Sequence, residues 1–335
     1  MNRWGRLFSV SIFGASHGEV VGVMIEGCPP GLALENSSFY ADLERRKGCE
    51  TKGTTPRKEG DIPHIIAGVF NGFTTGAPIV ITFENKNIRP EDYEKLRAIP
   101  RPSHADWVAH EKFFGYEDYR GGGAFSARLT VALVAAGVIA KKLLKGVSIQ
   151  SQVTAIGGIA DIEAGLNKAI QAKDSIGGII ETQITGVPAG WGEPFFESLE
   201  SSLAQMMFAI PAVRGIEFGA GFAAANMMGL EHNDAITNEA GTTQTNHAGG
   251  IVGGISNGNP IVFRIAVKPA ASTPQPQESW NWETQQMEQF SIKGRHDLCV
   301  ALRAPVIVEA AAAIVLLDHC WIQENRKNAH QKLSS

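Results

Sequence analysis

The sequence predicts an α+β fold built from two similar halves, and three observations carry that reading. Residues 21–32 (VGVMIEGCPPGL) resemble residues 180–191 (IETQITGVPAGW), each an alternating strand that closes on Gly-x-Pro-x-Gly. Residues 67–83 (AGVFNGFTTGAPIVITF) resemble residues 253–267 (GGISNGNPIVFRIAV). Each reads as strand, Asn-Gly turn, proline and second strand, which is hairpin chemistry. Between the paired units lies a helical pattern in each half, residues 38–47 and 199–208. Two β-α-β-turn-β halves, packed as one composite domain over residues 1–335, are therefore expected. The strands alternate polar and apolar residues, so the sheets should be antiparallel with one wet face.

Residues 7–15 (LFSVSIFGA) follow Arg3 and Arg6 and faintly resemble a signal peptide. The run is short, alternates and leads straight into Ser16-His17-Gly18, so it reads as a strand of the mature fold. Residues 126–144 form an alanine-rich helix whose Lys141, Lys142 and Lys145 suit its C-terminal dipole. Residues 199–208 have helical apolar spacing, and residues 310–322 form an apolar helix with Glu309 at its start. Residues 268–278 (KPAASTPQPQE) combine a lysine, three prolines and small residues, the composition of a loop that forms a lid or cradle.

Composition narrows the function classes. With 44% apolar and 19% charged residues the chain is soluble and globular, and a net charge of −4 argues against a general nucleic-acid binder. Arg45, Arg46, Lys47, Lys52, Arg57 and Lys58 nonetheless crowd together, with only Glu50 in opposition. Such a run is either a solvated face or a clamp for a small polyanion. Cys28, Cys49, Cys299 and Cys320 form no CxxC pair and have no histidine at zinc-finger spacing, so reduced thiols in a cytoplasm and no metal are expected. The apolar runs 131–140 and 310–317 are too short to span a bilayer, so no membrane partner is expected either.

The chemistry concentrates between Arg101 and Thr130, RPSHADW…DYRGGGAFSARLT. His104 lies between Arg101 and Asp106 on a turn opened by Pro102. Gly121, Gly122 and Gly123 lie between Arg120 and Arg128, just before a helix. A glycine run entering a helix brings backbone N–H groups to an anion, and flanking arginines add forked donors. A flexible loop is the plainer explanation of three glycines, but the histidine and arginines beside them favour an oxyanion site. His17 stands at a strand end, with Gly14 and Gly18 leaving an open approach that suits proton transfer near neutral pH. A surface histidine is the plainer alternative. In Gly294-Arg295-His296-Asp297 the arginine and aspartate share a face of an extended segment, as a site pair or as a core ion pair. Residues 246–254 (NHAGGIVGG) are a second glycine-rich stretch, which turns alone explain.

Gly219-Ala220-Gly221-Phe222-Ala223-Ala224 matches the dinucleotide fingerprint, with Glu239 about twenty residues on. It would define a nicotinamide-dependent dehydrogenase. Its preceding strand is short, its helix would be cut at Gly229, and no second strand follows at βαβ spacing, so it reads as a decoy. The remaining pieces point to a small multi-anionic substrate with a phosphate-bearing cofactor.

The motifs FGASHG, GCPPGL, ERRKG, TTGAPI, RPSHAD, YRGGG…SARLT, GVPAG, IPAVRGIEFGAGF, NHAGGIVGGISNG, KPAAS and GRHDLC run in order over nearly the whole chain. In that order they resemble the chorismate synthase family. The resemblance implies a β-α-β sandwich with helices between antiparallel sheets, assembled as a homotetramer. It implies a lyase acting on phosphates, which turns 5-enolpyruvylshikimate 3-phosphate into chorismate by 1,4-elimination on the route to aromatic amino acids. Reduced FMN (FMNH2) is required without net redox change. No reductase module is recognisable, so reduced flavin is expected from outside rather than through NADPH on this chain.

By motif position, the resemblance assigns substrate to Arg46, Lys47, Lys52, Arg101 and Arg128. It assigns FMN to Ala124, Phe125, Ser126, Pro211, Ala212, Gly253, Lys268, Pro269, Ala270, Ala271, Ser272 and Arg295, the last also near substrate. His17 would protonate the departing phosphate, and His104 would hold a proton beside the reduced flavin. Asp297, relayed through Ser16, would clear the ring proton. The chain departs from the family in having Ala124-Phe125 where Arg-Ser is common, Ser103 for Gly, Lys52 for Arg and Leu298 for Pro. The cation missing at Ala124 motivates one alternative, a weakly catalytic or non-catalytic flavin- or ligand-binding homologue.

Overall fold

The computed structural model describes residues 2–47, 53–54, 60–87, 97–292 and 297–333. The first half comprises β1 (Arg3–Trp4), β2 (Ser9–Gly14), β3 (Val20–Glu26), α1 (Tyr40–Lys47), β4 (His64–Ala67), the hairpin β5 (Val69–Phe70) and β6 (Phe73–Thr74), β7 (Ile79–Glu84), α2 (Asp106–Phe113) and α3 (Thr130–Leu143). The second comprises β8 (Ser148–Ile156), α4 (Ile162–Ala172), β9 (Gly178–Thr185), α5 (Leu199–Phe208), β10 (Val213–Phe218), α6 (Gly229–His232), the hairpin β11 (Ile251–Val252) and β12 (Ile255–Ser256), β13 (Ile261–Val267), the hairpin β14 (Gln277–Asn281) and β15 (Gln286–Phe290), and α7 (Pro305–Leu333).

Alternation makes the sheets. Along β13 every second side chain is buried, so a strand of period two presents one apolar face. The first sheet has the order β1-β2-β3-β7-β4 and the second β10-β13-β9-β8, with every neighbouring pair antiparallel. Apart from β1, the two orders are the same when β2, β3, β7 and β4 are matched with β8, β9, β13 and β10. The repeated motifs of the sequence fall on β3 with β9 and on β7 with β13, so the echo reflects a structural duplication.

Helices α3 and α7 fill the space between the sheets. α3 packs on β3 and β7, α7 packs on β8 and β9, and the two helices pack on each other. Where buried both are apolar on every side except for Thr130 in α3 and Glu309, Asp318 and His319 in α7, the pattern of an interior helix. A Cβ built on Gly137 would fall 2.2 Å from the Ala310 Cβ, so the axes approach at small residues. α7 runs well past the expected 310–322, because its last turns are polar and exposed and carry no apolar period. As a whole it is long and apolar enough to cross a membrane, which the 310–317 run alone is not. Yet 78% of its apolar window is buried inside the protein, the mark of a core helix.

The fingerprint-like segment takes a different form from a dinucleotide turn. Gly221–Asn226 is a 3-10 turn after β10, whose sheet neighbour β13 is antiparallel, so there is no βαβ crossover here. The Phe222 N–H, which a pyrophosphate would need, donates to Glu217 Oε2 at 3.1 Å.

Candidate active site

A cavity of about 550 Å³ opens where pieces of both halves converge. Its walls are the end of α1, Asp61, the turn before α2, the glycine run that enters α3, the end of α5, the loop after β13 and the segment before α7. Among the described residues, six cationic side chains (Arg46, Lys47, Arg101, Arg128, Lys268 and Arg303) face it, against two carboxylates, Asp61 and Asp297. The volume lies in the usual range for a small-ligand site.

Gly121, the first residue of the glycine run, supplies part of one wall as bare backbone. Gly121, Gly122 and Gly123 have φ of 61°, 80° and 52°. A Cβ on Gly121 would fall 2.2 Å from the His17 ring, and one on Gly122 would fall 3.2 Å from His104 Cε1. Glycine is required at Gly121 because the histidine behind it leaves no room. His17 is buried, with Nδ1 3.3 Å from Ser16 Oγ. The Ser16 N–H donates to the Gly123 carbonyl at 3.0 Å, and Asn85 Nδ2 donates to the carbonyls of Ala15 and Gly18, so the His17 turn is clamped from two sides.

His104 belongs to a tight cluster with its sequence neighbours. Its Nδ1 is 2.6 Å from Asp106 Oδ1, and Arg101 grips both Asp106 oxygens at 2.7 Å. Burial would raise the Asp106 pKa, but hydrogen bonds from Arg101 and His104 and their charges overcome it and hold the carboxyl well below the ordinary range. Arg101 Nη1 also donates to Ser272 Oγ at 3.2 Å, which ties this turn to the loop after β13. From that loop Lys268 Nζ donates to the Ser103 carbonyl at 2.7 Å.

Asp61 organises the opposite wall. Its carboxylate accepts from Arg46 Nη1 at 2.9 Å and from Arg128 Nη1, with all three side chains buried. Burial would raise the Asp61 pKa, and the two guanidinium charges outweigh it, so the net shift is downward. Burial lowers Arg46 to about 9, against Asp61 and with the help of Arg303 and Arg128, so it stays charged at neutral pH. Arg46 also donates to Thr130 Oγ1 and to the carbonyls of Ala127 and Arg128, and Arg128 donates to Asn85 Oδ1 and the Glu84 carbonyl. Most of their N–H groups are thus engaged within the protein. Asp297 accepts from Arg303 Nη1 at 3.0 and 3.2 Å, and Arg303 Nε donates to the Arg46 carbonyl at 3.1 Å.

Most residues singled out in the sequence therefore meet. Arg46, Lys47, Arg101, His104, Ala124, Phe125, Ser126, Arg128, Pro211, Ala212, Lys268, Pro269, Ala270, Ala271, Ser272 and Asp297 line this one cavity. His17 and Ser16 lie directly behind its Gly121 wall. Gly253 lies apart, in the β11–β12 turn beside Gly254, whose carbonyl accepts from Leu199 at the far end of α5. Leu199 and Phe208, the latter at the cavity, are the two ends of this 10-residue helix, about 13.5 Å apart. Lys52 and Arg295 lie outside the described residues, as do Cys49, Glu50, Arg57 and Lys58. Sequence reasoning missed Asp61 and Arg303. Asp61 stands in no motif, and Arg303 precedes α7 in an ordinary Leu-Arg-Ala-Pro entry to a helix.

An antiparallel β-α-β sandwich with a cationic cavity, a glycine wall and two histidines has the make-up of an enzyme acting on a small molecule. A family model described as chorismate synthase matches residues 8–321. The chain is 60% identical over 325 residues to the chorismate synthase of Chitinophaga pinensis, covering 97% of this chain and 98% of the relative. It is 43% identical to that of Thermococcus gammatolerans (94% and 96% covered) and 42% identical to that of Synechocystis sp. (95% and 96% covered). A solved crystal structure of a chorismate synthase superposes with a TM-score of 0.71 at 27% identity, covering 94% of this chain and 92% of that one. The chain belongs to the chorismate synthase family. Chorismate synthesis is the activity these relatives support, and the non-catalytic alternative is not favoured.

Proposed function

We propose that the cavity binds 5-enolpyruvylshikimate 3-phosphate together with reduced FMN, and that the chain acts there as a lyase, eliminating phosphate in a 1,4 sense to give chorismate. The observation that carries this reading is the convergence on one cavity of six cations, the Gly121 backbone and His104, with His17 directly behind Gly121. The substrate brings two carboxylates and a phosphate and FMN brings another phosphate, so a surplus of permanent cations is what the two ligands require. The donor set fits FMN. Ser126, Ser272, Lys268 and backbone N–H groups would hold its phosphate and polyol, and Phe125, Phe208, Pro211 and Ala212 offer apolar surface for a flat ring system. When bound, reduced flavin lends electron density that eases C–O cleavage and is regenerated, with no net redox change.

The chain's own residues orient the substrate and manage its protons. Lys47 and Arg303 hold substrate anions, while Arg46, Arg101 and Arg128, largely engaged with Asp61, Asp106, Ser272 and carbonyls, act mainly through their charge. His17 gives a proton to the departing phosphate, its orientation set by Ser16 at Nδ1. His104 keeps a proton at Nε2 close to the reduced cofactor. Asp297, held by Arg303, takes up the proton that leaves the substrate ring. Ser16 sits in the His17 turn, so in this reading it serves His17 first. Reduced FMN comes from outside the chain, in the cytoplasm. The exposed rings of Phe195, Phe196 and Phe222, with Leu230, support a homotetramer in which such surface is covered.

Anaerobic turnover with chemically reduced FMN, followed by chorismate absorbance, tests this reading. Many turnovers per flavin are expected. Folded protein that makes no chorismate at saturating flavin and substrate would rule it out.

A further inference from the structure

We propose that Asp106 is the positioning residue of His104, fixing the ring proton on Nδ1 so that Nε2 is the nitrogen that exchanges protons in the cavity. The proposal gives the His104 role above its structural cause, and for its catalytic meaning it rests on that reading.

Hydrogen-bond capacity forces the assignment. An ionised carboxylate only accepts, so at 2.6 Å from Asp106 Oδ1 the His104 Nδ1 must carry the hydrogen. Arg101 Nη2 lies 3.0 Å from the same Nδ1 and 2.7 Å from the same Oδ1. A guanidinium only donates, so its hydrogen also goes to Oδ1, and two donors converge on one acceptor. The other oxygen accepts from Arg101 Nε at 2.7 Å and from the Arg101 backbone N–H at 3.0 Å. Four hydrogen bonds thus converge on the carboxylate, which stands in the first turn of α2, where the helix dipole also favours its charge. Nothing in this arrangement lets Asp106 give up its charge near neutral pH.

With Nδ1 engaged, Nε2 is the nitrogen left to the cavity that His104 lines. A Cβ built on Gly122, which lines the smaller cavity behind the ring, would fall 3.4 Å from Nε2, so a side chain there would crowd it. An unrestrained histidine in water favours the opposite tautomer, with its proton on Nε2. Asp106 reverses that preference. The charged and titratable groups facing the ring are Arg101 and Asp106 on its own turn and Lys268 at the Ser103 carbonyl. Across a smaller cavity of about 230 Å³ behind it stand Arg97, His110, Glu117 and Asp118. Asp106 is the carboxylate in direct contact, so it sets the balance.

The test is a nitrogen-15 histidine spectrum of the ligand-free protein, with the His104 signals identified by their loss in His104→Ala. Wild-type protein above the His104 titration should show the Nδ1–H tautomer. A wild-type Nε2–H tautomer overturns the proposal without any further variant. In Asp106→Asn the preference for Nδ1–H should weaken, with the Nε2–H form appearing in the spectrum. Turnover should drop roughly 10²-fold or more, beyond any change in substrate KM that the loosened Arg101 brings. Asp106→Glu keeps the charge with poorer geometry and should recover part of the Nδ1–H population but little of the rate. A purely structural role would lower stability and rate while leaving the tautomer unchanged, and that result overturns the proposal. Should wild-type protein fail to make chorismate, the functional reading falls, and the spectrum still decides the role of Asp106.

Discussion

Replacing Gly121 with alanine drives a methyl group into the His17 ring. The backbone at Gly121 has φ 61° and ψ 21°, a left-handed conformation that costs an alanine about 1–2 kcal/mol. The new Cβ would lie 2.2 Å from His17 Cε1 and Nδ1 and 2.9 Å from Ser16 Oγ. Carbon contacts settle near 3.5 Å, so the ring has to retreat by about 1.3 Å. It has little space for that, because His17 is 4% exposed and Ser16 is fully buried. Overpacking of this kind costs about 1–3 kcal/mol more. Misplacing a reacting group by about 1 Å costs roughly 10²-fold in rate. Gly158→Ala is the matched control, with φ +79° and nothing within 4 Å of the new Cβ, so it carries the backbone strain alone. Urea unfolding and anaerobic turnover of both variants read the difference. Gly121→Ala should be less stable than Gly158→Ala by about 1–3 kcal/mol and at least tenfold slower. Equal stabilities and equal rates would refute the view that Gly121 is glycine because His17 stands behind it.

His17→Ala and His104→Ala should each lower turnover by roughly 10²–10⁴-fold, and near-wild-type rates in either would remove that residue from the mechanism. Arg46→Ala deprives buried Asp61 of one of its two guanidinium partners and should cost about 3–5 kcal/mol of stability in a urea melt, along with weaker substrate binding. An unchanged melt would show the Asp61 network to be dispensable. His319 is buried against Ser202 Oγ at 2.9 Å, and burial, with Arg6, lowers its pKa. A base depressed in the folded state is protonated first in the unfolded chain, so its stabilising contribution is full above about pH 6.5 and is lost as pH falls toward the folded pKa. His319→Gln should therefore lose less stability than wild type between pH 7 and pH 5, and parallel losses would argue against the shift. Ala124 lines the cavity where many family members carry arginine, so Ala124→Arg should tighten FMN binding by about tenfold, or 1.4 kcal/mol. Unchanged affinity in a flavin titration would place the FMN phosphate elsewhere.

The duplicated sandwich was legible because its signals are local. Gly-x-Pro-x-Gly follows the matching strands β3 and β9 in both sheets, and an Asn-Gly turn marks a strand end in each half, between β5 and β6 in the first and between β12 and β13 in the second. The outer end of α7 escaped notice because residues 323–332 are polar and solvent-facing, leaving no apolar period to read. The strand-forming hairpin β14–β15 was hidden for a similar reason, since most of its side chains are polar or exposed. In the site, contiguous motifs carried well: Arg101, His104 and Asp106 touch because they lie within the six residues of one turn. Asp61 and Arg303 were not legible, because each acts across the fold on a partner far away in sequence, Arg128 for one and the Arg46 carbonyl for the other. The GAGFAA segment shows the converse. Its pattern matched a nucleotide fingerprint, but a 3-10 turn and the Glu217 carboxylate occupy the place where a pyrophosphate would sit.

The most direct measurement is a crystal structure of the protein with oxidised FMN and 5-enolpyruvylshikimate 3-phosphate bound together. Both ligands are expected in the single cavity. The flavin should lie against Pro211, Ala212, Lys268 and Ser272, and the substrate among Lys47, Arg101 and Arg303, its phosphate on the glycine wall nearest His17. Density for either ligand at the Gly221–Asn226 turn or in the smaller cavity behind His104, with the cationic cavity holding only solvent, would contradict the assignment.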